Sequence, residues 1–206
     1  MIQEKPRVMI AIPNLGHIDT RLMMRLIRWI SMPQNWAQVS IVAPIGHIPH
    51  DSARNYCLDQ FLNTDDTHIF FIDSDVVPPP DALQKLIDAD KDVITGLYPS
   101  VWYDQKKQEM GKRNNVFSKV RDDGELVEAK GKGVGEIHSA GGGCILIKRH
   151  VIEQVMDAPI FKFEYNNVGM MVKGEDVYFF EKVRASGIIP YAHFDVQCNH
   201  VKETVL

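Results

Sequence analysis

One short segment constrains the fold of this chain more than any other. An apolar run, Ile69–Ile72, ends in two carboxylates, Asp73 and Asp75, and three prolines follow at positions 78–80. The run predicts a strand buried on both faces of a sheet, and the prolines prevent that strand from continuing. Two carboxylates at the end of a buried strand repel each other unless positive charge lies between them. A hard divalent cation would supply that charge, whereas a strand-end turn capped by Asp73 is the simpler alternative.

Strands and helices are predicted to alternate along the first half of the chain. Apolar runs predict strands over 7–13, 37–44, 67–74 and 92–98. Apolar residues at helical spacing predict a helix over 19–30. Further helices are predicted over 51–62 and over 80–89, where a proline and acids stand at the start. Strands joined by helical crossovers form a parallel sheet with helices on both faces. Ligands of such sheets bind beyond the carboxyl ends of the strands, so Pro13, Asn14 and the two acids are expected along one edge.

The second half of the chain has a different pattern. Residues 116–120 and 126–129 around Asp122, Asp123 and Gly124 predict a hairpin, and residues 144–147 predict another buried strand. A helix is predicted over 149–156, a second over 177–184, and a last strand over 188–195. The segments 106–115 and 161–173 have no clear period and are interpreted as loops. The expected architecture is α/β, with a mainly parallel central sheet and a small antiparallel hairpin region.

Three glycines, 141–143, directly precede the strand predicted at 144–147. Such a run implies that the backbone packs closely against another strand or a ligand. In the same half of the chain, Glu175 and Asp176 open the predicted helix 177–184. Two acids in a first turn suit the helix dipole, which is the purely structural interpretation of this pair.

Length and composition restrict the classes of protein that are possible. At 206 residues with 45% hydrophobic and 24% charged residues, the chain predicts one globular domain over 1–206. A net charge of -4 argues against nucleic-acid binding through a basic surface. No window approaches the roughly 18 apolar residues of a membrane helix, so no integral membrane segment is expected. Three scattered cysteines, 57, 144 and 198, predict reduced thiols and a cytoplasmic location.

Four motifs in chain order resemble the nucleotide-sugar glycosyltransferases of the GT-A fold, and are closest in pattern to the family 2-like group. The opening strand Val8–Pro13, the segment Ser52–Asn55 and the D-x-D strand Phe70–Asp75 carry the first three. The fourth combines Gly141–Ile147 with Gly174–Val177. A D-x-D pair alone is a weak signal, but its combination with the upstream and downstream motifs is fairly specific. The resemblance implies transfer of a sugar from a nucleotide-diphospho-sugar donor to a hydroxyl acceptor.

The resemblance also implies residue roles in binding donor and metal. The donor, a UDP-, GDP- or dTDP-sugar, would contact Pro13, Asn14, Arg54, Asp73, Ser74, Gly142 and Gly143. Mn²⁺ or Mg²⁺ would be held by Asp75, with Asp73 and His200 as further candidate ligands, and histidine suits Mn²⁺ better than Mg²⁺. Alternatively, Arg54 forms only a helix-start salt bridge and His200 is a surface residue of the tail.

The same resemblance assigns the chemistry to Asp176 and Glu175. Asp176 would act as the general base that deprotonates the acceptor hydroxyl, as in inverting members, which we favour over retaining ones. The chain departs from the family after the second strand, where Val42–His47 replaces the acid that often binds the base. The nucleotide is therefore left open. The chain is short for the family. The region that binds the glycan or other hydroxyl acceptor is therefore expected to be small, or to be completed by another domain or subunit.

Two other functions fit parts of the pattern. Phosphatases of the haloacid dehalogenase class also place D-x-D after an apolar strand, but that is usually the first strand, whereas two predicted strand–helix units precede Asp73. A carbohydrate-binding protein without catalytic activity is the second alternative. The presence of both Asp75 and Asp176 argues against it.

Overall fold

The computed structural model describes residues 5–31, 37–104, 109–120, 126–157 and 159–201. In the first half the strands are β1 (Arg7–Ala11), β2 (Gln38–Val42), β3 (His68–Ile72), β4 (Val76–Val77) and β5 (Val93–Leu97), and the helices are α1 (Thr20–Ser31), α2 (His50–Leu62) and α3 (Ala82–Asp88). Next come β6 (Pro99–Asp104), β7 (Glu109–Asn114), β8 (Val116–Val120), β9 (Leu126–Glu128), β10 (Val134–Glu136), β11 (Ser139–Ala140) and β12 (Cys144–Lys148). The chain then forms α4 (Arg149–Gln154), β13 (Glu164–Tyr165), β14 (Met171–Lys173), α5 (Glu175–Ala185), β15 (Tyr191–Gln197) and β16 (Asn199–His200).

A seven-stranded sheet in the order β10-β15-β5-β12-β3-β1-β2 forms the centre of the molecule. β1 pairs in parallel with β2 and β3, and β5 pairs in parallel with β15. β12 is antiparallel to both of its neighbours, and β10 is antiparallel to β15. The predicted α/β architecture with a mainly parallel sheet is confirmed. Because β12 runs against β3, it begins at the edge of the sheet where β3 ends.

The sheet is covered on both faces. Strand residues such as Phe71 and Ile145 pack with α2, α4 and α5 on one face, while Phe70 and Ile72 pack with α1 and α3 on the other. Successive side chains of a strand point to opposite faces, which is why the continuous apolar run of β3 is buried on both sides. Within the described residues no helix is long and apolar enough to cross a membrane.

Small antiparallel sheets account for most of the second half. β8 pairs with β9 as predicted, whereas the turn predicted at Asp122, Asp123 and Gly124 lies outside the described residues. Two loop predictions are wrong in part: residues 109–114 form β7, which pairs with β6, and the segment 161–173 contains the hairpin of β13 and β14. Neither segment has an alternating apolar pattern, which is the local feature that predicts a half-buried strand.

Candidate functional site

The carboxyl ends of the parallel strands bring the predicted site residues to one edge of the sheet. β1 leads into Asn14, which forms a parallel β-bridge with Ile45 in the loop after β2. β3 leads into Asp73. The short strand β16 pairs with β4, so that His200 faces Val76. The backbone N–H of Val201 donates to the carbonyl of Asp75 at 2.8 Å. The C-terminal part of the described chain thus returns to the D-x-D turn.

Arg54 is the charged centre beneath this edge. Its side chain is 2% exposed and donates from Nη2 to Oδ1 of Asp73 at 2.8 Å and from Nε to Oε1 of Glu175 at 3.3 Å. Its Nη1 donates to the carbonyl of Gly142 at 3.2 Å. Burial by itself lowers the pKa of Arg54, but the charges of Asp73 and Glu175 raise it above its ordinary value. Arg54 therefore joins the D-x-D turn to the start of α5, which are far apart in the sequence.

The three glycines before β12 make room for these side chains. A Cβ added to Gly142 would stand 2.8 Å from Cζ of Arg54, and one added to Gly143 would stand 2.6 Å from Oδ2 of Asp73. A Cβ on Gly141 would collide with the hydroxyl of Tyr98. The close packing predicted for the glycines is present, and their partners are the side chains of the site.

Asp75 and His200 form a second pair at the surface of the edge. Nε2 of His200 lies 3.1 Å from Oδ2 of Asp75, and Nδ1 lies 2.7 Å from the carbonyl oxygen of Pro99. A carbonyl oxygen only accepts hydrogen bonds, so Nδ1 carries a proton and donates it. In the neutral ring Nε2 then presents a lone pair to a carboxylate oxygen, and this contact requires either a second proton or a cation bound by both atoms.

A cavity of about 280 Å³ opens at this edge. Among its lining residues are the predicted Pro13, Asn14, Asp73, Ser74, Asp75 and His200. A neighbouring cavity of about 550 Å³ shares Ser74 and Asp75 with it and extends to Asp19 and Val201. Ser74 and Asp75 thus lie between two open spaces, as a site for a ligand of several parts requires.

Two residues that were predicted to contact the donor, Asn14 and Arg54, form their hydrogen bonds with other parts of the protein. Nδ2 of Asn14 donates to the carbonyls of Ile12 and Pro44, each at 3.1 Å, and Oδ1 accepts from the N–H of Gly16 at 2.9 Å. Asn14 therefore clamps the loop after β1 to the loop after β2. The guanidinium of Arg54 likewise binds protein atoms, and its contacts with Asp73 and Glu175 are the salt bridges that the alternative interpretation expected.

Asp176 lies at the start of α5, next to Glu175. Its Oδ1 accepts from the N–H of Val177 at 2.7 Å. Loss of contact with water, together with the negative charge of Glu175, raises the pKa of Asp176 to about 6, although the Val177 N–H and Arg54 act in the opposite direction. A carboxyl with this pKa can exchange a proton near neutral pH, which is the requirement for a general base.

Several residues of the site were not predicted. Tyr98 is buried, its hydroxyl accepts from the N–H of Gly143 at 3.1 Å, and its ring meets that of His200 edge-on at 5.3 Å. Burial and the charge of Asp73 raise the pKa of Tyr98 well above its ordinary value. Asn115 supports it by accepting from the Tyr98 N–H at 2.8 Å. The position of Tyr98 directly after a buried strand was the available signal.

Histidines form the other missed part of the lining. His17, His47 and His50 line the cavity of about 280 Å³, and the His47 ring packs on Tyr56 with centroids 4.3 Å apart. His47 lies in the loop after β2, whereas His50 opens α2. Their position after the second parallel strand was the signal that they belong to the site.

Comparison with known proteins identifies the fold. No family model matches the chain, and no curated protein matches it, whereas 180 chains of solved structures do. GalNAc-T7 with UDP, GalNAc and Mn²⁺ matches with a TM-score of 0.52 at 8% identity, over 100% of this chain and 45% of that one. S. aureus TarS 1-349 with UDP-GlcNAc matches with a TM-score of 0.53 at 12% identity, over 96% and 60%. This chain therefore has the fold of the GT-A glycosyltransferases.

A197 from STIV is the more similar structure in sequence. It matches with a TM-score of 0.62 at 24% identity, over 96% of this chain and 86% of that chain. By contrast, this chain spans less than two thirds of the GalNAc-T7 and TarS structures. Identities of this size establish the fold and leave the activity to be argued from the site.

Proposed function

We propose that this chain is a glycosyltransferase, of the family 2-like group, that moves a sugar from a nucleotide-diphospho-sugar to a hydroxyl acceptor. One arrangement carries the proposal: Asp75 and His200 meet at 3.1 Å beside the cavity, while Arg54 links Asp73 to the helix start that bears Asp176. The GT-A fold supports it. So do two similar structures, GalNAc-T7 with UDP and TarS with UDP-GlcNAc.

The donor would occupy the cavity of about 280 Å³ at the ends of β1 and β3. Asp73 keeps Oδ1 on Arg54, which orients the carboxylate so that its other oxygen can accept from a donor hydroxyl. Ser74 lines both cavities and lies where the parts of the donor would meet. Pro13 and Asn14 shape the wall near the nucleobase of a UDP-, GDP- or dTDP-sugar. Gly142 and Gly143 contribute by admitting Arg54 and Asp73.

A divalent cation fits the pair formed by Asp75 and His200. Nε2 of His200 and Oδ2 of Asp75 lie close enough together to bind one cation, and an imidazole ligand favours Mn²⁺ over Mg²⁺. The described residues contain no group of three acidic, His or Cys side chains that could hold a metal ion, so donor phosphates and water would complete the coordination. When bound, the cation neutralises the charge that develops on the diphosphate leaving group.

Asp176 would remove the proton from the acceptor hydroxyl as that oxygen attacks the anomeric carbon. With a pKa of about 6 the carboxylate is ionised at pH 7 but remains basic enough to accept a proton. Glu175 holds Arg54 and contributes negative charge that keeps the pKa of Asp176 high. Direct attack assisted by one base gives inversion at the anomeric carbon, which we propose for this chain.

The wider context of the reaction belongs to the same proposal. We propose that residues 1–206 form a single catalytic domain and that a glycan or other hydroxyl compound is the acceptor. A further domain or subunit would complete the acceptor-binding region where needed. The three cysteines of the chain are free and buried, which supports a reducing, cytoplasmic location.

The proposal is tested with a panel of UDP-, GDP- and dTDP-sugars in the presence of Mn²⁺. A ligand that binds the folded state raises the melting temperature by mass action, and we expect one donor to do so only with metal. Asp75→Ala should abolish this shift, whereas Asp176→Asn should keep the shift and remove transfer. If no donor changes the melting temperature, the proposed function is wrong.

The same assays separate the two alternative functions. Release of phosphate from an aryl phosphate, without any effect of nucleotide sugars, would indicate a phosphatase of the haloacid dehalogenase class. Binding of free sugars without turnover of any donor would indicate a carbohydrate-binding protein.

A further inference from the structure

A projecting hairpin beside the candidate site is unusually apolar. Residues 165–172, the apolar arm, contain no charged residue. Five of them are exposed by 57% to 78%: Tyr165, Val168, Met170, Met171 and Val172. Single exposed apolar side chains are ordinary in soluble proteins, but a contiguous group marks a contact with another apolar surface.

Most of the strongly exposed apolar side chains lie in a few segments of the chain. Twelve large apolar side chains of the described residues are more than half exposed, and eight of them belong to the apolar arm or to the loops that follow β1 and β2. Five are those of the apolar arm, and three follow β1 and β2, namely Leu15, Ile45 and Ile48. The other four are Met24, Ile30, Met110 and Met156.

The base of the apolar arm is charged and firmly attached. Nζ of Lys173 pairs with Oε2 of Glu164 at 2.9 Å and with Oε2 of Glu181, on α5, at 2.7 Å. The N–H of Phe163 donates to Oδ2 of Asp51, at the start of α2, at 3.1 Å. The arm is thus fixed to the two helices that carry Arg54 and Asp176, with its charges confined to the base.

The apolar arm exposes both of its faces. Tyr165 pairs with Met171 across the hairpin, and the register shifts between Glu164 and Tyr165. Met170, Met171 and Val172 are consecutive, and three successive residues of an extended chain do not all point to one face. All four side chains are at least 57% exposed. A rigid protein partner would cover one face and leave the other in water, whereas a fluid apolar medium surrounds a projecting arm on all sides.

We propose that the apolar arm inserts into the interfacial region of a lipid bilayer and holds the candidate site at the membrane surface. Apolar side chains and a tyrosine above a charged base suit that region, where aromatic residues with a polar end are favoured. Because the arm is uncharged and the chain has a net charge of -4, attachment depends on apolar burial and does not require anionic lipids. Asp176 follows the base of the arm by three positions, so an acceptor presented at the bilayer surface would meet it.

The test is flotation of the purified protein with vesicles of phosphatidylcholine, a neutral lipid, and it requires no donor or acceptor. We expect the wild type to float with the vesicles equally well at about 0.1 M and about 0.5 M salt, because screening weakens only charge-based binding. The double variant Val168→Asn, Met170→Asn should bind at least about tenfold more weakly, since two apolar side chains leave the bilayer. Its melting temperature should stay unchanged because both residues are exposed.

Two matched variants serve as controls. Met24→Asn with Ile30→Asn removes exposed apolar side chains from α1, and Met156→Asn removes one after α4; both should float like the wild type. Failure of the wild type to float, or loss of flotation in the α1 variant alone, would overturn the proposal. Concentration-dependent self-association without vesicles that the arm variant removes would also overturn it, because the arm would then dock on a second copy of the chain.

Discussion

Nη2 of Arg54 lies 2.8 Å from Oδ1 of Asp73, while Nε of the same guanidinium lies 3.3 Å from Oε1 of Glu175. One buried cation thus holds two carboxylates from distant parts of the chain. Removing a cation from such an arrangement leaves buried negative charges unpaired, which costs far more than the pair itself contributes.

Arg54→Gln should therefore lower the free energy of unfolding by about 3–5 kcal/mol, as measured by urea denaturation. The matched control is Arg21→Gln, because Arg21 pairs with Asp19 at 3.0 Å while its side chain is 63% exposed. That change should leave the free energy of unfolding almost unchanged, because solvent screens an exposed pair. Equal effects of the two substitutions would show that Arg54 does not hold the site together.

Mn²⁺ binding should depend on both members of the pair formed by Asp75 and His200. We expect Asp75→Asn and His200→Ala each to weaken Mn²⁺ binding at least about tenfold, because each removes one of two protein ligands. Calorimetric titration with Mn²⁺ and UDP measures the effect. Asp19→Asn is the control: Asp19 lines the adjoining cavity but is held by Arg21, so binding should persist. Undiminished binding in the His200 variant would remove that residue from the metal site.

Asp176 should make the wild type less stable as pH rises. The unfolded carboxyl releases its proton near 3.8, whereas the folded one retains it up to about 6. Across this interval the folded state binds more protons than the unfolded state. The contribution of Asp176 to the free energy of unfolding is therefore greatest below pH 4 and is lost as the pH rises to about 6. Relative to Asp176→Asn, the wild type should lose about 2–3 kcal/mol between pH 4 and pH 7, measured by denaturation at each pH. A pH-independent difference would contradict a raised pKa.

The rate of sugar transfer should follow the ionisation of the same carboxyl. If Asp176 is the base, kcat/KM for the free enzyme should rise about tenfold per pH unit below pH 6 and level off above it. Glu175→Gln removes a negative charge that raises the pKa of Asp176, so the midpoint of the profile should shift to lower pH. A profile that does not move in this variant would exclude Asp176 as the group that titrates.

Asn115 should be important for stability although it contacts no predicted ligand. It is 3% exposed and its Oδ1 accepts from the N–H of Tyr98 at 2.8 Å. Asn115→Ala leaves that buried donor without a partner, so the free energy of unfolding should fall by about 1–3 kcal/mol. Asn63→Ala, on an exposed helix end, should have less than half that effect in the same denaturation experiment.

Much of the fold could be predicted because its signals are local. Apolar runs identify β1 and β3, and helical spacing identifies α1, since burial on two faces and burial on one face leave different patterns. The hairpins of β6 with β7 and of β13 with β14 could not be predicted in the same way. The described side chains of β7, β13 and β14 are exposed or only partly buried, so their sequences carry no period that indicates burial.

The sequence by itself determined the types of residue at the site and their order along the chain. Two acids after a buried strand, and two more at the start of a helix, indicated the chemistry before any contact was known. Only the tertiary structure decided the partners. Arg54 binds Asp73 and Glu175 because β3 and α5 meet over α2, and His200 reaches Asp75 because β16 pairs with β4. These contacts join residues that are distant in the chain, and no local pattern of sequence records such distances.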